Sequence, residues 1–314
     1  MVLEAQSAHP PSSGTSSIAR HLRGDGLLLR TGPFVVRLRS NLPEIAASVA
    51  TLYGGHRLAA ADFADFHVAV RRAAGPRGYV RPQIVFALDD EEPFEPFARR
   101  EAPAVLEWGL NWAISTYANQ YLLIHAACVE KDGRAAIMPG EPGKGKSTLC
   151  AALVQRGWRL LSDELAVIDM ADGALLPLCR PMSLKNRSIA AIRDFAPEAV
   201  FGPTIADTRK GTLALLPAPP DSVRRMGERA TAHYILFPNF SPGVAAGPTP
   251  RSRGTSLIAL AENAFNYQVH GRLGFDRLAD IAAACRCADF AYSDLGEAVA
   301  AMQRWWQAGE LSLT

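Results

Sequence analysis

"GEPGKGKST", residues 140–148, is the stretch of this chain that says most about its fold. Its first and sixth residues are glycines, and Lys146 and Ser147 follow, which satisfies the pattern G-x-x-x-x-G-K-[S/T]. Before it, "RAAIM" (134–138) predicts a short strand, and from Ser147 onward "STLCAALVQRG" (147–157) predicts a helix. A strand, a glycine-rich loop and a helix in that order predict a phosphate-binding loop rather than an ordinary turn.

The residue types in this segment suit the chemistry of a phosphate site. Glycines let backbone N–H groups turn toward phosphate oxygens, and the start of a helix adds free donors and a favourable dipole. Lys146 is expected to reach the β- and γ-phosphates, and Ser147 is expected to hold Mg²⁺. ATP and Mg²⁺ are therefore the expected cofactors. The predicted nucleotide-binding residues are Gly140, Glu141, Pro142, Gly143, Lys144, Gly145, Lys146, Ser147 and Thr148.

Two adjacent acids, Asp163 and Glu164, lie in "WRLLSDELAVID" (158–169), which predicts the strand after the loop and helix. Neighbouring side chains in a strand point to opposite faces, so only one acid can face the loop unless the strand ends between them. Such a pair is often just a solvated strand end. Because phosphoryl transfer needs a carboxylate beside the phosphates, the preceding loop favours a functional role here.

His125 lies in the apolar run "LLIHAACV" (122–129). A single histidine in such a run is more often a buried core group than a catalytic one. Its strand is nevertheless predicted to pair, through the turn at residues 132–133, with the strand that leads into the loop. His125 therefore stays a candidate.

From His125 through "MPGEPGKGKSTLCAALVQRGWRLLSDE" (138–164), the chain resembles the HPr kinase/phosphorylase family, whose catalytic domain carries a histidine, a G-x-x-G-x-G-K-S loop and an acidic pair in the next strand. Further on, three segments are similar to the HPr kinase-related subgroup: "RPMSLKNRSI" (180–189), "DTRKG" (207–211) and "YILFPNFSPG" (234–243). The resemblance covers roughly residues 105–310.

The resemblance implies an α/β fold with a P-loop kinase domain of the type shared with phosphoenolpyruvate carboxykinases. It implies that Asp163 is the general base, that His125 is close enough to orient it, and that Glu164 helps to hold the metal. Lys146 would bind the phosphates and Ser147 the Mg²⁺. Five basic residues are candidates for contacting the phosphate or the acceptor: Arg180, Lys185, Arg187, Arg209 and Lys210. Of these, the preferred candidates are Lys185, Arg209 and Lys210.

The leading hypothesis is a kinase that phosphorylates a hydroxyl, of Ser or Thr, on a protein or peptide that is not necessarily HPr. The family commonly has a glutamate after the loop serine, whereas Thr148 stands here. That difference favours a second hypothesis, a nucleotide-dependent binding module without phosphoryl transfer. A kinase for a small-molecule hydroxyl is a third possibility.

Composition narrows the choice of partners. The 314 residues contain 33 basic and 31 acidic side chains, a net charge of +2, so charge predicts no nucleic-acid or anionic-membrane partner. The five cysteines are odd in number and scattered, which favours a reducing compartment over a disulfide framework. With no signal peptide or lipid span expected, a cytoplasmic location is predicted. Hexamers in the related family make a homo-oligomer a further expectation.

Three regions are predicted along the chain: a mobile Ser/Pro/Gly-rich tail (1–24), an N-terminal α+β unit (25–102) and the P-loop kinase domain (103–314). Within the second region a hairpin is expected at 27–40, followed by a helix capped by Asn41 and a strand within 79–90. Helices are also expected at 104–120, 274–286 and 294–307.

Overall fold

The chain forms a mixed α/β structure with three sheets, as seen in a computed structural model that describes residues 14–56, 63–75 and 82–308. The α/β expectation is confirmed at this level. The helices are Thr15–Arg23 (α1), Pro43–Leu52 (α2), Ala102–Tyr117 (α3), Lys146–Val154 (α4), Arg187–Phe195 (α5), Pro220–Arg224 (α6), Arg253–Asn263 (α7), Tyr267–His270 (α8), Arg272–Ala284 (α9) and Leu295–Ala308 (α10).

The strands are Leu27–Thr31 (β1), Phe34–Ser40 (β2), Phe66–Arg72 (β3), Gln83–Leu88 (β4), Phe97–Ala98 (β5), Tyr121–Lys131 (β6), Arg134–Pro139 (β7), Arg159–Ser162 (β8), Leu165–Asp169 (β9), Leu175–Leu176 (β10), Met182–Lys185 (β11), Thr204–Thr208 (β12), Gly211–Leu216 (β13), Thr231–Phe240 (β14), Gly247–Pro250 (β15) and Arg286–Tyr292 (β16). Strands β1 to β5 form an N-terminal sheet in chain order, and a small sheet has the order β11-β13-β12.

The central sheet has the order β10-β9-β6-β7-β14-β16-β15, with β8 also paired to β6. Strands β7, β14 and β16 are mutually parallel, whereas β6 runs antiparallel to β7. The carboxyl ends of the three parallel strands therefore meet at one edge, and the glycine loop (residues 140–148) leaves β7 at that edge. Ligands of open α/β sheets bind at such an edge.

Both faces of the central sheet are buried. On β7, Ala136 and Met138 pack into a core shared with α4 and α10, while Ala135 and Ile137 pack on the opposite face. That second core includes residues of α7 and α9, such as Leu260. A strand covered on both sides has no solvated face, which is why "AAIM" (135–138) is an uninterrupted run of small and apolar residues.

The N-terminal sheet packs against α3 and the rest of the chain through one continuous hydrophobic core. Phe86 of β4, Leu106 of α3, Leu165 of β9 and Leu215 of β13 all belong to it, and each is nearly inaccessible to solvent. Because this core crosses the predicted boundary between residues 102 and 103, the division into two units stays a prediction.

The expected mobile tail is wrong for residues 15–23, which form α1. Ile18 and Leu22 lie one helical turn apart and are buried in the N-terminal core beside Val49 of α2. Two apolar positions on one helical face are enough for this packing, although the surrounding Ser and Gly residues obscure them in the sequence. Residues 1–13 of the expected tail lie outside the described residues.

Several local expectations hold and one needs correction. The hairpins β1–β2 and β6–β7 and the helices α3, α9 and α10 form where they were predicted. Helix α2 begins at Pro43 with Leu42 as its N-cap, so Asn41 is not the cap. Proline's fixed φ suits the first helical position and sets this start. Residues 79–81 of the expected strand lie outside the described ranges.

All five cysteines are free thiols. Within residues 14–56, 63–75 and 82–308, no helix combines the length and the apolar composition that a bilayer crossing requires.

Candidate active site

The glycine loop adopts a backbone path that needs glycine. Gly140, Gly143 and Gly145 have φ values of 137°, 87° and 94°, a region that residues with a β-carbon rarely adopt. At Gly145 a β-carbon would also collide with the Tyr292 hydroxyl and lie 3.2 Å from Cβ of Phe240. The glycine therefore serves both the turn and the close approach of two aromatic side chains.

The loop presents a row of unused donors. In the part of the chain that the structure describes, none of the backbone N–H groups from Gly143 to Thr148 has a hydrogen-bond acceptor. The last three belong to the first turn of α4, where such groups have no partner within the helix and the dipole favours an anion. Gly140 is anchored separately, since its N–H donates to Oδ1 of Asn263 at 3.3 Å.

The Lys146 side chain folds back onto the beginning of this loop. Its side chain is buried, and its ammonium donates to the carbonyl oxygens of Gly140 and Glu141, the second at 3.1 Å. Burial lowers the pKa of Lys146, while the negative charges of Glu164 and Asp163 oppose that change. The ammonium is therefore hydrogen-bonded to the loop carbonyls, and the negative charges of the two acids favour its protonated form.

The two acids lie in a break between strands, which corrects the single strand expected at 158–169. Strand β8 ends at Ser162 and β9 begins at Leu165, and β6 pairs with both of them. The Leu165 N–H donates to Oγ of Ser162 at 3.1 Å and closes the bend. Because Asp163 and Glu164 occupy this bend, neither has to point away from the loop, and the charges of both act on Lys146.

Asp163 is 5% exposed, and its two oxygens have different surroundings. Oδ2 accepts the N–H of Ser183 at 2.9 Å, while Oδ1 is buried and accepts no hydrogen bond of good geometry within the described residues, with the Ser147 hydroxyl near enough to act on the carboxyl group. Burial, with help from the negative charge of Glu164, raises the pKa of Asp163 to about 7, although Ser183, Ser147 and Lys185 act in the other direction. The group is thus poised to exchange a proton near neutral pH.

Glu164 is shifted in the opposite direction. Burial alone would raise its pKa, but the hydrogen bond from His125 and the charge of Lys185 outweigh burial and lower it. Oε2 of Glu164 lies 3.3 Å from Nε2 of His125, with 28% of the glutamate side chain exposed. Two neighbouring carboxyls whose pKa values are driven apart are typical of a site that assigns them different roles.

The family resemblance implied that His125 lies close to Asp163. In the structure, His125 contacts Glu164 instead. Its ring also lies 6.1 Å from the ring of Phe265, and 27% of the side chain is exposed. His125 is therefore a rim residue of the site rather than a fully buried core group.

The oxygen donors beside the loop suit Mg²⁺. The Ser147 hydroxyl and the Glu164 carboxylate are hard ligands of the kind that this ion prefers. Across the described residues, no group of three or more His, Cys, Asp and Glu side chains could hold a metal by itself. An ion at this place would need phosphate oxygens and water to complete its shell, which is how Mg²⁺ commonly enters nucleotide sites.

Two of the three preferred basic residues lie at the site. Lys185 ends β11, and its charge acts on Asp163, Glu164 and Lys210. Lys210 lies with Nζ 5.0 Å from the centroid of the Trp108 ring, and burial followed by the charge of Lys185 lowers its pKa.

Arg209 points elsewhere, with its guanidinium 4.6 Å from the centroid of the Phe97 ring in the N-terminal sheet. The charge of its sequence neighbour Lys210 acts on Glu164, while Arg209 contacts the N-terminal sheet. A turn of adjacent residues sends their side chains to different places, which the sequence alone does not reveal.

Sequence reasoning missed a buried charge network behind Asp163. Arg180 donates to Oε2 of Glu107 at 2.7 Å and to Oδ1 of Asn111 at 2.7 Å, and the Tyr53 hydroxyl donates to Oε1 of Glu107 at 2.6 Å. A cavity of about 20 Å³ separates Arg180 and Glu107 from Asp163. Tyr53 and Glu107 are 54 positions apart, so no local pattern could have connected them.

Thr148, which stands where the family commonly has a glutamate, has a structural contact. Its hydroxyl donates to Oγ of Ser188 at 2.7 Å and joins the first turn of α4 to α5. No acidic side chain stands at this position to assist a metal.

No family model matches the chain, and no curated protein matches it. Among solved structures, the HPr(Ser) kinase/phosphatase from Coxiella burnetii is matched over 61% of this chain and 97% of that chain, with 13% sequence identity and a TM-score of 0.28. A TM-score of this size is too low to establish a common fold. Membership of the HPr kinase family therefore stays a prediction from the sequence.

Proposed function

We propose that this protein is an ATP- and Mg²⁺-dependent kinase of the HPr kinase-like P-loop type, which transfers the γ-phosphoryl group to a hydroxyl, of Ser or Thr, on a protein or peptide. The observation that carries the proposal is the break at Asp163 and Glu164. It brings two carboxyl groups with opposite pKa shifts next to a loop lined with unused N–H donors. A loop that only binds phosphates would not require the two carboxyl groups.

Binding would begin at the loop. The N–H groups of Gly143 to Thr148 supply donors for the phosphates, and Lys146 exchanges the carbonyl oxygens of Gly140 and Glu141 for phosphate oxygens. This exchange is favourable because a charged acceptor makes a stronger hydrogen bond than a neutral carbonyl. Ser147 and Glu164 would hold Mg²⁺, which supplies charge neutralisation to the phosphates.

Proton transfer would then belong to Asp163. Its buried Oδ1 accepts no hydrogen bond of good geometry within the described residues, so an acceptor hydroxyl that enters the site can donate to it. With a pKa of about 7, the carboxylate can accept this proton near neutral pH, a contribution of roughly 10²–10⁴ to the rate. Glu164 stays ionised beside His125, and Lys185 and Lys210 offset charge on the transferring group.

The second candidate is a nucleotide-dependent binding module without transfer, and the contact between Thr148 and Ser188 favours it because no third carboxylate assists the metal. Mass spectrometry of partner proteins and peptides after incubation with Mg-ATP separates the two. A kinase leaves a phosphate on an acceptor, and a binding module does not. A protein acceptor, a cytoplasmic location and self-assembly are further proposals that rest on the sequence.

The first test is the melting temperature of the wild type, Lys146→Ala and Lys144→Ala, each with and without Mg-ATP. Lys144 is an exposed lysine of the same loop whose proposed contribution is its backbone N–H, which alanine retains, so it is the matched control for the loss of one charge. ATP at a hundred times its dissociation constant should stabilise the wild type and Lys144→Ala by about 2.7 kcal/mol. Lys146→Ala should not respond. Equal responses of all three proteins would contradict the role of Lys146, and no response in any would contradict the nucleotide site.

A further inference from the structure

The glycine loop has a second flank, opposite the carboxyl groups. Asp163, Glu164 and His125 lie on the β6 side of β7, whereas β14 and β16 lie on its other side and end at Phe240 and Tyr292. Because β7, β14 and β16 are parallel, both aromatic residues reach the sheet edge from which the loop departs.

Phe240 is half exposed yet firmly held. Phe240 is 49% exposed, and its backbone N–H donates to the Lys144 carbonyl at 3.0 Å. Its ring meets the ring of Tyr292 edge-on, with centroids 5.6 Å apart and an interplanar angle of 72°. The Tyr292 hydroxyl in turn donates to the Gly145 carbonyl at 2.8 Å. A large apolar ring is thus fixed to the loop itself with one part left uncovered.

The direction of a bound nucleotide follows from the proposed function. Its γ-phosphate must lie on the side of the carboxyl groups, where Asp163 can meet the acceptor. The base is joined to the opposite end of the phosphate chain, and the opposite flank of the loop is the one that carries Phe240. Aromatic side chains stack on nucleobases because every base has a π-face.

We propose that the exposed ring of Phe240, braced by Tyr292, is the stacking platform for the nucleobase of the bound nucleotide. The inference rests on the proposed nucleotide site and adds to it a subsite that reads the base rather than the phosphates. It also accounts for the segment "NFSPG" (239–243), to which the phosphate and carboxylate chemistry assigns no role.

Phe265 provides a matched control. It is 50% exposed, almost the same as Phe240, but it lies beside His125 on the other flank of the loop. Replacing either phenylalanine by alanine removes an equally exposed ring. The comparison of the two variants tests which end of the nucleotide each ring would meet.

The experiment is calorimetric titration of the wild type, Phe240→Ala and Phe265→Ala with Mg-ATP and with Mg-tripolyphosphate, which has phosphates but no base. Phe240→Ala should bind ATP about 5- to 150-fold more weakly, the loss expected when one base loses its stacking partner, and should bind tripolyphosphate as the wild type does. Phe265→Ala should bind both ligands like the wild type. Phe240→Trp should retain ATP affinity, and its fluorescence should change with ATP but not with tripolyphosphate.

The outcomes separate this inference from the proposed function. If Phe240→Ala weakens both ligands equally, the ring supports the loop and not the base, and the inference fails while the nucleotide site stands. The same holds if Phe240→Ala weakens neither ligand, or if Phe265→Ala loses as much ATP affinity as Phe240→Ala. If the wild type binds neither ATP nor tripolyphosphate, the proposed function fails and the inference falls with it.

Discussion

The two flanks of the glycine loop differ in the kind of contacts they make and in what those contacts do to the stability of the fold. On the carboxylate flank (Asp163, Glu164 and His125), a buried oxygen of Asp163 accepts no hydrogen bond of good geometry within the described residues, and two like charges are adjacent. On the aromatic flank (Phe240 and Tyr292), the contacts are neutral: backbone N–H to carbonyl, hydroxyl to carbonyl, and ring to ring. The first arrangement costs stability and the second contributes to it.

This difference shows that the groups with shifted pKa values lie on the flank whose contacts are the less stable. An acid with a raised pKa, such as Asp163, is held in an environment that disfavours its charged form, and this lowers the stability of the fold. The neutral contacts of the aromatic flank and the large core beneath α4 stabilise the glycine loop. They offset the stability that the carboxylate flank costs. Four predictions test whether the flanks are as different as the structure indicates.

The largest expected effect is on activity. Asp163→Asn should lower the rate of phosphoryl transfer by about 10²–10⁴ because it removes the proposed proton acceptor. The affinity for Mg-ATP should stay within about threefold of the wild type, so the loss appears in kcat. Steady-state kinetics together with calorimetry check this. Tyr292→Phe, on the aromatic flank, is the control and should lose less than about tenfold. Full activity of Asp163→Asn would remove Asp163 from the base role.

The next effect concerns the charge network behind the carboxylate flank. Arg180→Met should leave the Glu107 charge buried without its positively charged partner and lower the free energy of unfolding by about 3–5 kcal/mol. Arg71→Met breaks the exposed pair with Glu92, which is 2.9 Å long, and should cost at most about 1 kcal/mol. Urea unfolding of both variants measures the difference. Similar costs for the two arginines would mean that the buried network does not hold this flank together.

The third effect is a gain of stability that depends on pH. The pKa of Asp163 is higher in the folded protein than its ordinary value of 3.8, so the unfolded chain loses this proton first as the pH rises. Stability is therefore lost between about pH 4 and the folded pKa of about 7. Asp163→Asn should raise the free energy of unfolding by about 1–3 kcal/mol at pH 8 and by much less at pH 5.

Thermal unfolding of the wild type and Asp163→Asn at both pH values measures this dependence, without Mg²⁺ or nucleotide. A gain that is equal at pH 5 and pH 8 would show that burial and Glu164 do not raise the pKa of Asp163.

The smallest effect belongs to the aromatic flank. Tyr292→Phe removes the hydrogen bond to the Gly145 carbonyl and should cost about 1 kcal/mol. Burial raises the pKa of Tyr292, so its hydroxyl stays protonated and the cost should be the same at pH 5 and pH 8. Tyr117→Phe is the control, since the Tyr117 hydroxyl is exposed and has no partner within the described residues. A cost that changes with pH would show that the two flanks are electrostatically linked.

Sequence reasoning was most successful where the signal is local. The turn at residues 132–133, the apolar strand before the loop and the glycines at 140, 143 and 145 act within a few residues of one another. It failed at residues 158–169, where a uniform β pattern conceals the bend that the Ser162 hydroxyl closes. It also failed at residues 15–23, where two buried side chains in a Ser-rich segment are enough for a packed helix.

By itself, the sequence determined the position of the glycine loop, the strand and helix that flank it, and the identity of the candidate acids. These features follow from backbone preferences and hydrophobic periodicity, which depend on near neighbours along the chain. Only the tertiary structure decided that Glu164 meets His125, that Arg209 and Lys210 diverge, and that Phe240 and Tyr292 brace the loop. Those outcomes depend on burial and on contacts between residues far apart in sequence, whose free energies exist only once the core has formed.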